Sequence, residues 1–263
     1  MKFFLDTEFH EYKKKPLFGK PIDTIELISI GIVKEGFSTE DSSYYAICKD
    51  FNLKEAWNSF QYEKQTMFEK QNGFKGRKVY WLRDNVLKPI WIELSIIKDP
   101  KFKNDINMIW DNLSNRERYI RMKLLLALYG KSKEQIANEI KDFVSNKRRL
   151  CGGNLNVELG FSQEARSSFE GRMECIKHNY GNVEFYAYYA DYDWVLFCWL
   201  FGRMSDLPKG FPMYAFDIQQ KIDSENIDKD QLLKEVPQVN CHNALEDAIW
   251  NKKAYTWLEF QKL

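Results

Sequence analysis

The sequence lacks several features that would assign it to a common class. It has no uninterrupted apolar run of about 18 residues, the length that a membrane helix needs, so no membrane span is expected. Its first residues do not predict a signal peptide, because Asp6 and Glu8 interrupt the only apolar candidate. The cysteines are few, odd in number and unclustered, at positions 48, 151, 175, 198 and 241. They suit reduced thiols in a cytoplasm better than a disulfide framework.

A zinc site is also poorly supported. Cys175 and His178 are spaced like half of such a site, but the sequence shows no evident second half. We therefore do not expect a structural zinc ion.

The chain has little net charge, only +1, but the charge is unevenly distributed. Residues 51–150 contain 21 Lys and Arg against 12 Asp and Glu, and the remainder contains 18 against 26. This asymmetry fits a polyanion bound by the basic part and a metal bound by the acidic part. A solvated helical segment with surplus lysines would explain the charge equally well.

Hydrophobic patterning predicts an α/β fold whose mixed β-sheet is flanked by helices. The predicted strands are 2–9, 25–36, 42–48, 183–190 and 212–219, and the first three should pair in antiparallel order. The predicted helices are 116–130, 132–146, 191–202 and 243–260. Ser132 and Asn243 should cap two of these helices, and Asp191 or Asp193 should cap the helix at 191–202.

We interpret residues 1–263 as a single domain with two insertions. Residues 51–130 form a basic, Trp-rich and largely helical insertion after the third strand, and 147–182 form a second, irregular one. Aromatic rings and cations together suit single-stranded nucleic acid. For each of Trp81, Trp91 and Trp110, we favour packing inside a small helical subdomain over stacking on a base.

Four carboxylates point toward an apolar interior. Asp6 and Glu8 share one face of the first strand, Asp193 lies where a buried strand meets a buried helix, and Asp247 heads an apolar helix face. Two such charges about 4 Å apart repel by ~4 kcal/mol even at an effective dielectric near 20. Divalent cations relieve this repulsion, and all-oxygen ligands favour Mg²⁺ or Mn²⁺. Two ions ~3.5–4 Å apart form a clamp for in-line displacement at phosphorus.

The set Asp6-x-Glu8, Asp193 and His242-x4-Asp247 resembles the DEDDh 3′-to-5′ exonucleases, which have a ribonuclease H-like fold. The likeness is greatest to a small bacterial and phage branch of exoribonucleases. It is carried by FFLDTEF (3–9), IELISIGIV (25–33), YWLRDNVLKP (80–89), YYADYDWVLFCWLFGRMSDLPKGFPMYAFDIQ (188–219) and HNALEDAIWN (242–251). Together these segments cover roughly residues 1–48, 80–90 and 183–258, more than half of the chain.

The resemblance implies a role for each matching residue. Asp6, Glu8, Asp193 and Asp247 would bind two Mg²⁺ or Mn²⁺ ions, and His242 would act as the general base toward the attacking water. The family has an aromatic residue directly before its aspartate, which Tyr192-Asp193 matches. We therefore prefer Asp193 to Asp191, which would act as a helix cap or support Asp193.

The resemblance also implies a function for the whole chain. We expect a metal-dependent 3′-to-5′ exoribonuclease that releases nucleoside 5′-monophosphates from single-stranded RNA 3′ ends in the cytoplasm of a bacterial or phage-infected cell, as a homodimer. The alternatives are a DNA exonuclease of the proofreading or trimming type and an inactive nucleic-acid-binding protein. Phe9, Arg203 and Lys209 are candidate substrate contacts, although Phe9 could equally be core and surface solvation suits the two cations.

Overall fold

The computed structural model describes residues 1–36, 42–64, 67, 76–96, 109–145, 183–239 and 241–261. Its strands are β1 (Lys2–Lys14), β2 (Ile22–Lys34), β3 (Ser43–Ile47), β4 (Gln61–Tyr62), β5 (Lys78–Val79), β6 (Glu184–Ala187) and β7 (Phe216–Asp217). Its α-helices are α1 (Leu53–Asn58), α2 (Lys88–Ile96), α3 (Asn115–Tyr129), α4 (Lys133–Val144), α5 (Ala190–Phe201), α6 (Ile218–Ser224), α7 (Lys229–Glu235) and α8 (Ala244–Phe260). The predicted insertion 147–182, with Cys175 and His178, lies outside the described residues.

A five-stranded sheet has the order β3-β2-β1-β6-β7, with β1 at its centre. Strand β6 pairs in parallel with β1 and with β7. The Glu35 N–H donates to the Lys2 carbonyl at 2.8 Å, so the end of β2 lies beside the start of β1 in antiparallel order. The predicted mixed sheet flanked by helices is therefore confirmed.

The two faces of β1 are covered by different helices. Phe4 packs against Tyr255 of α8, with ring centroids 5.4 Å apart. Phe3 points the other way and packs against Phe143 of α4, at 6.0 Å. Because side chains alternate along a strand, the carboxylates two and four residues after Phe4 share the face that α8 covers.

A glycine in β2 lets helix α8 begin directly against the sheet. A Cβ atom on Gly31 would lie 2.2 Å from the carbonyl oxygen of Ala244, so no larger residue fits without a shift of the backbone. The helix is capped as predicted, because the Asn243 side chain accepts hydrogen bonds from the N–H groups of Leu245 and Glu246.

The strand predicted at 212–219 is much shorter in the structure. Only Phe216 and Asp217 are extended, and α6 begins at the next residue. The reason is local, because the Asp217 side chain accepts hydrogen bonds from the N–H groups of Gln219 and Gln220 and so caps α6.

The chain divides into two compact units. Unit 1 contains Met1–Thr7, Ser29–Ala46 and Ser132–Leu263, and unit 2 contains Glu8–Ile28 and Ile47–Lys131. The long strands β1 and β2 contribute to both. None of the helices within the described part of the chain is long and apolar enough to cross a membrane.

Unit 2 is built around buried tryptophans. Trp57, Trp91 and Trp110 are at most 4% exposed, and the Trp110 ring lies 5.7 Å from that of Trp57 and 5.3 Å from that of Trp91. Simple packing therefore accounts for Trp91 and Trp110. It does not account for Trp81, which is 40% exposed. A short antiparallel hairpin of β4 and β5 was not predicted, because two-residue strands leave no periodic pattern.

Candidate metal centre

Three of the predicted carboxylates lie together in the structure. Asp6, Glu8 and Asp247 each offer an oxygen atom, and these oxygens all lie within 4.8 Å of one another. Asp6 is half-buried, while Glu8 and Asp247 are 9% and 7% exposed. This acidic group could hold a metal ion.

Hydrogen bonds fix both oxygens of Asp247. Oδ1 accepts from the side-chain amide of Gln238 at 2.7 Å, and Oδ2 accepts from the backbone N–H of His242 at 2.9 Å. Burial raises the pKa of Asp247, and these two hydrogen bonds oppose that rise. A carboxylate has about four lone-pair sites, so Asp247 keeps acceptor capacity for a cation.

Asn251 holds helix α8 in register with the central strand. Its amide donates to the Leu5 carbonyl at 2.9 Å, and the residue is 1% exposed. A buried amide that lost this partner would be costly, so the bond favours one position of α8 along β1. Asp247, one turn earlier on the helix, is held in place by the same contact.

Asp193, on α5, is held by Thr7, the residue between Asp6 and Glu8 on β1. Its Oδ1 accepts from the Thr7 N–H at 3.0 Å and also from the Thr7 hydroxyl. Asp193 is not one of the three residues whose oxygens lie within 4.8 Å of one another.

The charge state of Asp193 nevertheless depends on the other acids. Burial raises its pKa to about 7, against the hydrogen bonds from Thr7. The negative charges of Asp217 and Asp247 act in the same direction as burial. Burial and the charges of Asp217 and Asp247 therefore all favour a proton or a cation at Asp193, and only the Thr7 hydrogen bonds oppose them.

The predicted cap of helix α5 was wrong. The N-cap residue is Tyr189, in the left-handed region at φ 56°, and its side chain makes no capping hydrogen bond. Neither Asp191 nor Asp193 caps the helix, because Asp193 accepts from Thr7 and the Ala190 N–H donates to Asp217 at 2.8 Å. Asp191 is exposed.

His242 occupies a strained position directly before helix α8. Its φ is 70°, in the left-handed region that non-glycine residues seldom adopt. The residue is half-buried, and its N–H bond to Asp247 helps to hold this conformation. Backbone strain of this kind clusters at functional sites.

The three candidate substrate contacts differ in their surroundings. Phe9 is half-buried and lines a cleft in unit 2. Arg203 is exposed and forms an ion pair with Asp206, with Nε 3.0 Å from Oδ2. Lys209 is exposed.

Sequence reasoning missed three residues that position the acids. Thr7 stands between Asp6 and Glu8, but nothing local shows that its hydroxyl meets a helix 186 residues later. Gln238 lies in a loop without a pattern. Asn251 had a usable signal, because it follows Asp247 by four residues and shares its helix face.

Neither the models of known protein families nor the curated proteins give a match to this sequence.

Proposed function

We propose that this protein is a metal-dependent 3′-to-5′ exonuclease that hydrolyses single-stranded RNA from its 3′ end to nucleoside 5′-monophosphates. The observation that carries the proposal is the cluster of Asp6, Glu8 and Asp247, with carboxylate oxygens within 4.8 Å of one another. The resemblance of these residues, in their order, to the DEDDh exonucleases supplies the reaction.

The donor set suits two Mg²⁺ or Mn²⁺ ions. Asp6, Glu8 and Asp247 supply carboxylate oxygens, and Asp193 would complete the set by turning its remaining acceptor capacity toward the cluster. The raised pKa values of Asp193 and Asp247 mark positions where an uncompensated negative charge is unfavourable. When bound, the two ions would stabilise the attacking and leaving oxygens of an in-line displacement at phosphorus.

His242 would act as the general base in this proposal. It would take a proton from the water that attacks the terminal phosphodiester, and histidine is the side chain that most often carries out such proton transfers. The hydrogen bond from its N–H to Asp247 couples the position of the histidine loop to that of a metal-binding carboxylate. His242 and the cation site would therefore form together.

The substrate class is supported by charge and by resemblance. The basic stretch 51–150 would neutralise phosphates, and this contribution does not depend on sequence. The preference for RNA over DNA comes from the exoribonuclease branch that the chain resembles. A ribonuclease H-like arrangement of the observed mixed sheet is part of the same proposal.

The test uses 5′-labelled single-stranded RNA and DNA of one sequence, each incubated with Mg²⁺, Mn²⁺ or EDTA. We expect a metal-dependent ladder that shortens from the 3′ end, faster on RNA, and absent with Asp6→Ala. Faster shortening of the DNA strand would mean that the protein is a DNA exonuclease and not a ribonuclease. Intact strands in every lane, with a folded protein, would refute the enzyme.

A further inference from the structure

Unit 2 contains a cleft that the proposed chemistry does not use. Its volume is about 210 Å³, below the ~300 Å³ at which pockets for drug-sized ligands begin, so it suits a single ring system. The lining residues all belong to unit 2 and are Phe9, His10, Glu11, Ser59, Phe60, Gln61, Trp81 and Leu82.

Two large aromatic side chains in this lining remain exposed. Phe60 and Trp81 are each 40% exposed, whereas the neighbouring Trp91 and Trp110 are nearly fully buried. Trp91 and Trp110 therefore fill the core of unit 2. Phe60 and Trp81 lie outside that core and present flat apolar surface at the cleft. Such surfaces bind the faces of planar rings.

The strand side of the cleft is polar but without positive charge. His10 is 5% exposed, its Nδ1 has no hydrogen-bond partner among the described residues, and its ring stacks on Tyr12 at 4.9 Å. With Glu11 beside it, this side disfavours a phosphate and suits an uncharged ring with polar edges.

Cations stand beside the aromatic residues of the hairpin. The Lys78 ammonium lies 3.9 Å from the ring centroid of Phe60, and the Arg83 guanidinium lies 4.0 Å from that of Tyr80. Aromatic platforms flanked by Lys and Arg are the usual construction of single-strand binding surfaces. The π-helical turn Arg83–Leu87 follows Trp81 almost directly, and such turns are frequent at functional sites.

We propose that this cleft binds one base of a single-stranded nucleic acid. The base stacks on Phe60 and Trp81, and Lys78, beside Phe60, neutralises a neighbouring phosphate. The inference rests on the proposed exonuclease function and adds to it a substrate subsite.

The experiment measures binding without hydrolysis. Fluorescence anisotropy of a labelled single-stranded oligonucleotide is titrated with the full chain in EDTA. We expect Trp81→Ala and Phe60→Ala each to bind roughly 5- to 100-fold more weakly, the usual cost of one lost stacking platform. Trp81→Phe should retain most of the affinity, because a ring remains.

Matched controls come from exposed aromatic residues elsewhere. Trp199 on α5 is 49% exposed and Phe18 is 87% exposed, and neither lines the cleft. Trp199→Ala and Phe18→Ala should bind as the unaltered protein does. Lys78→Gln should lower the slope of log affinity against log salt by ~0.7, the contribution of one phosphate contact to a single strand.

The outcomes separate this inference from the enzymatic proposal. Equal affinity for the cleft variants and the control variants would overturn the base site, even if hydrolysis of RNA were intact. Loss of binding in the cleft variants, with equal thermal midpoints, would support the base site even if no hydrolysis were found. An unaltered protein that binds no oligonucleotide in EDTA would also overturn the base site.

Discussion

The two compact units differ in what they bury and in what they expose. Unit 1 buries the carboxylates Asp193 and Asp247 and the amide of Asn251, each with a hydrogen-bond donor or acceptor in place. Unit 2 buries tryptophans and leaves Phe60 and Trp81 exposed beside a cleft. Buried carboxylates are costly without a compensating charge, and exposed rings that line a cleft offer surface to a ligand. The first observation underlies the proposed cation at the acidic cluster, and the second underlies the proposed nucleobase at the cleft.

The largest expected effect lies in the acidic cluster. Asp6→Asn keeps the shape of the side chain but removes a negatively charged candidate ligand. The proposed exonuclease activity should therefore fall at least about 100-fold, more than is usual for residues that only hydrogen-bond to metal ligands. Asp191→Asn is the matched control, because Asp191 is exposed and outside the cluster. Rates of labelled-RNA degradation in Mg²⁺ measure both. Equal rates for the two variants would contradict the assignment.

A second pair of variants separates core from binding surface in unit 2. Trp91→Ala should lower the free energy of unfolding by about 3–5 kcal/mol, because it leaves a large cavity in a packed core. Trp81→Ala should change it by roughly 0.5 kcal/mol or less, as exposed positions do. Urea unfolding measures both. A similar loss for both would mean that Trp81 is a core residue.

A third variant tests the close approach of helix and strand in unit 1. Gly31→Ala places a Cβ atom against the Ala244 carbonyl, so the start of α8 must shift. We expect a loss of about 1–3 kcal/mol in the free energy of unfolding. Activity should fall in the fraction that remains folded, because α8 carries Asp247. Thermal unfolding and activity normalised to folded protein provide the measurements.

A fourth prediction concerns pH. The pKa of Asp193 is raised to about 7 from an ordinary 3.8, so the folded state keeps a proton that the unfolded state releases between these values. This contribution to stability is present below pH 3.8 and is lost as the pH rises through about 7. In EDTA, the free energy of unfolding should therefore decline over this window. The decline should be smaller in Asp193→Asn, and equal pH profiles would contradict the shift.

Local signals in the sequence predicted much of the scaffold. Apolar, β-branched runs predicted the first three strands, and Ser132 and Asn243 marked the starts of α4 and α8 as observed. The two-residue period of β1 placed Asp6 and Glu8 on one face, and the contact of Phe4 with α8 and of Phe3 with α4 agrees with that alternation.

Contacts between distant residues could not be predicted in the same way. The Thr7–Asp193 bond joins residues 186 positions apart. Asp193 accepts from Thr7 instead of capping α5, whose N-cap residue is Tyr189. The exposure of Trp81 could not be separated from the burial of Trp91, because both stand in similar basic, apolar surroundings in the sequence. Only the packing of unit 2 distinguishes the two.

The most direct test of the central claim is a calorimetric titration of the metal-free protein with Mn²⁺, compared with Asp6→Asn and Asp247→Asn. We expect saturable binding that is strongly weakened in both variants and left intact in Asp191→Asn. The pKa values of Asp193 and Asp247 are raised, so part of these groups is protonated before the metal binds. Metal binding should therefore release protons, which repeated titrations in buffers of different ionisation enthalpy detect. No saturable binding, or binding unchanged in the two cluster variants, would contradict the account.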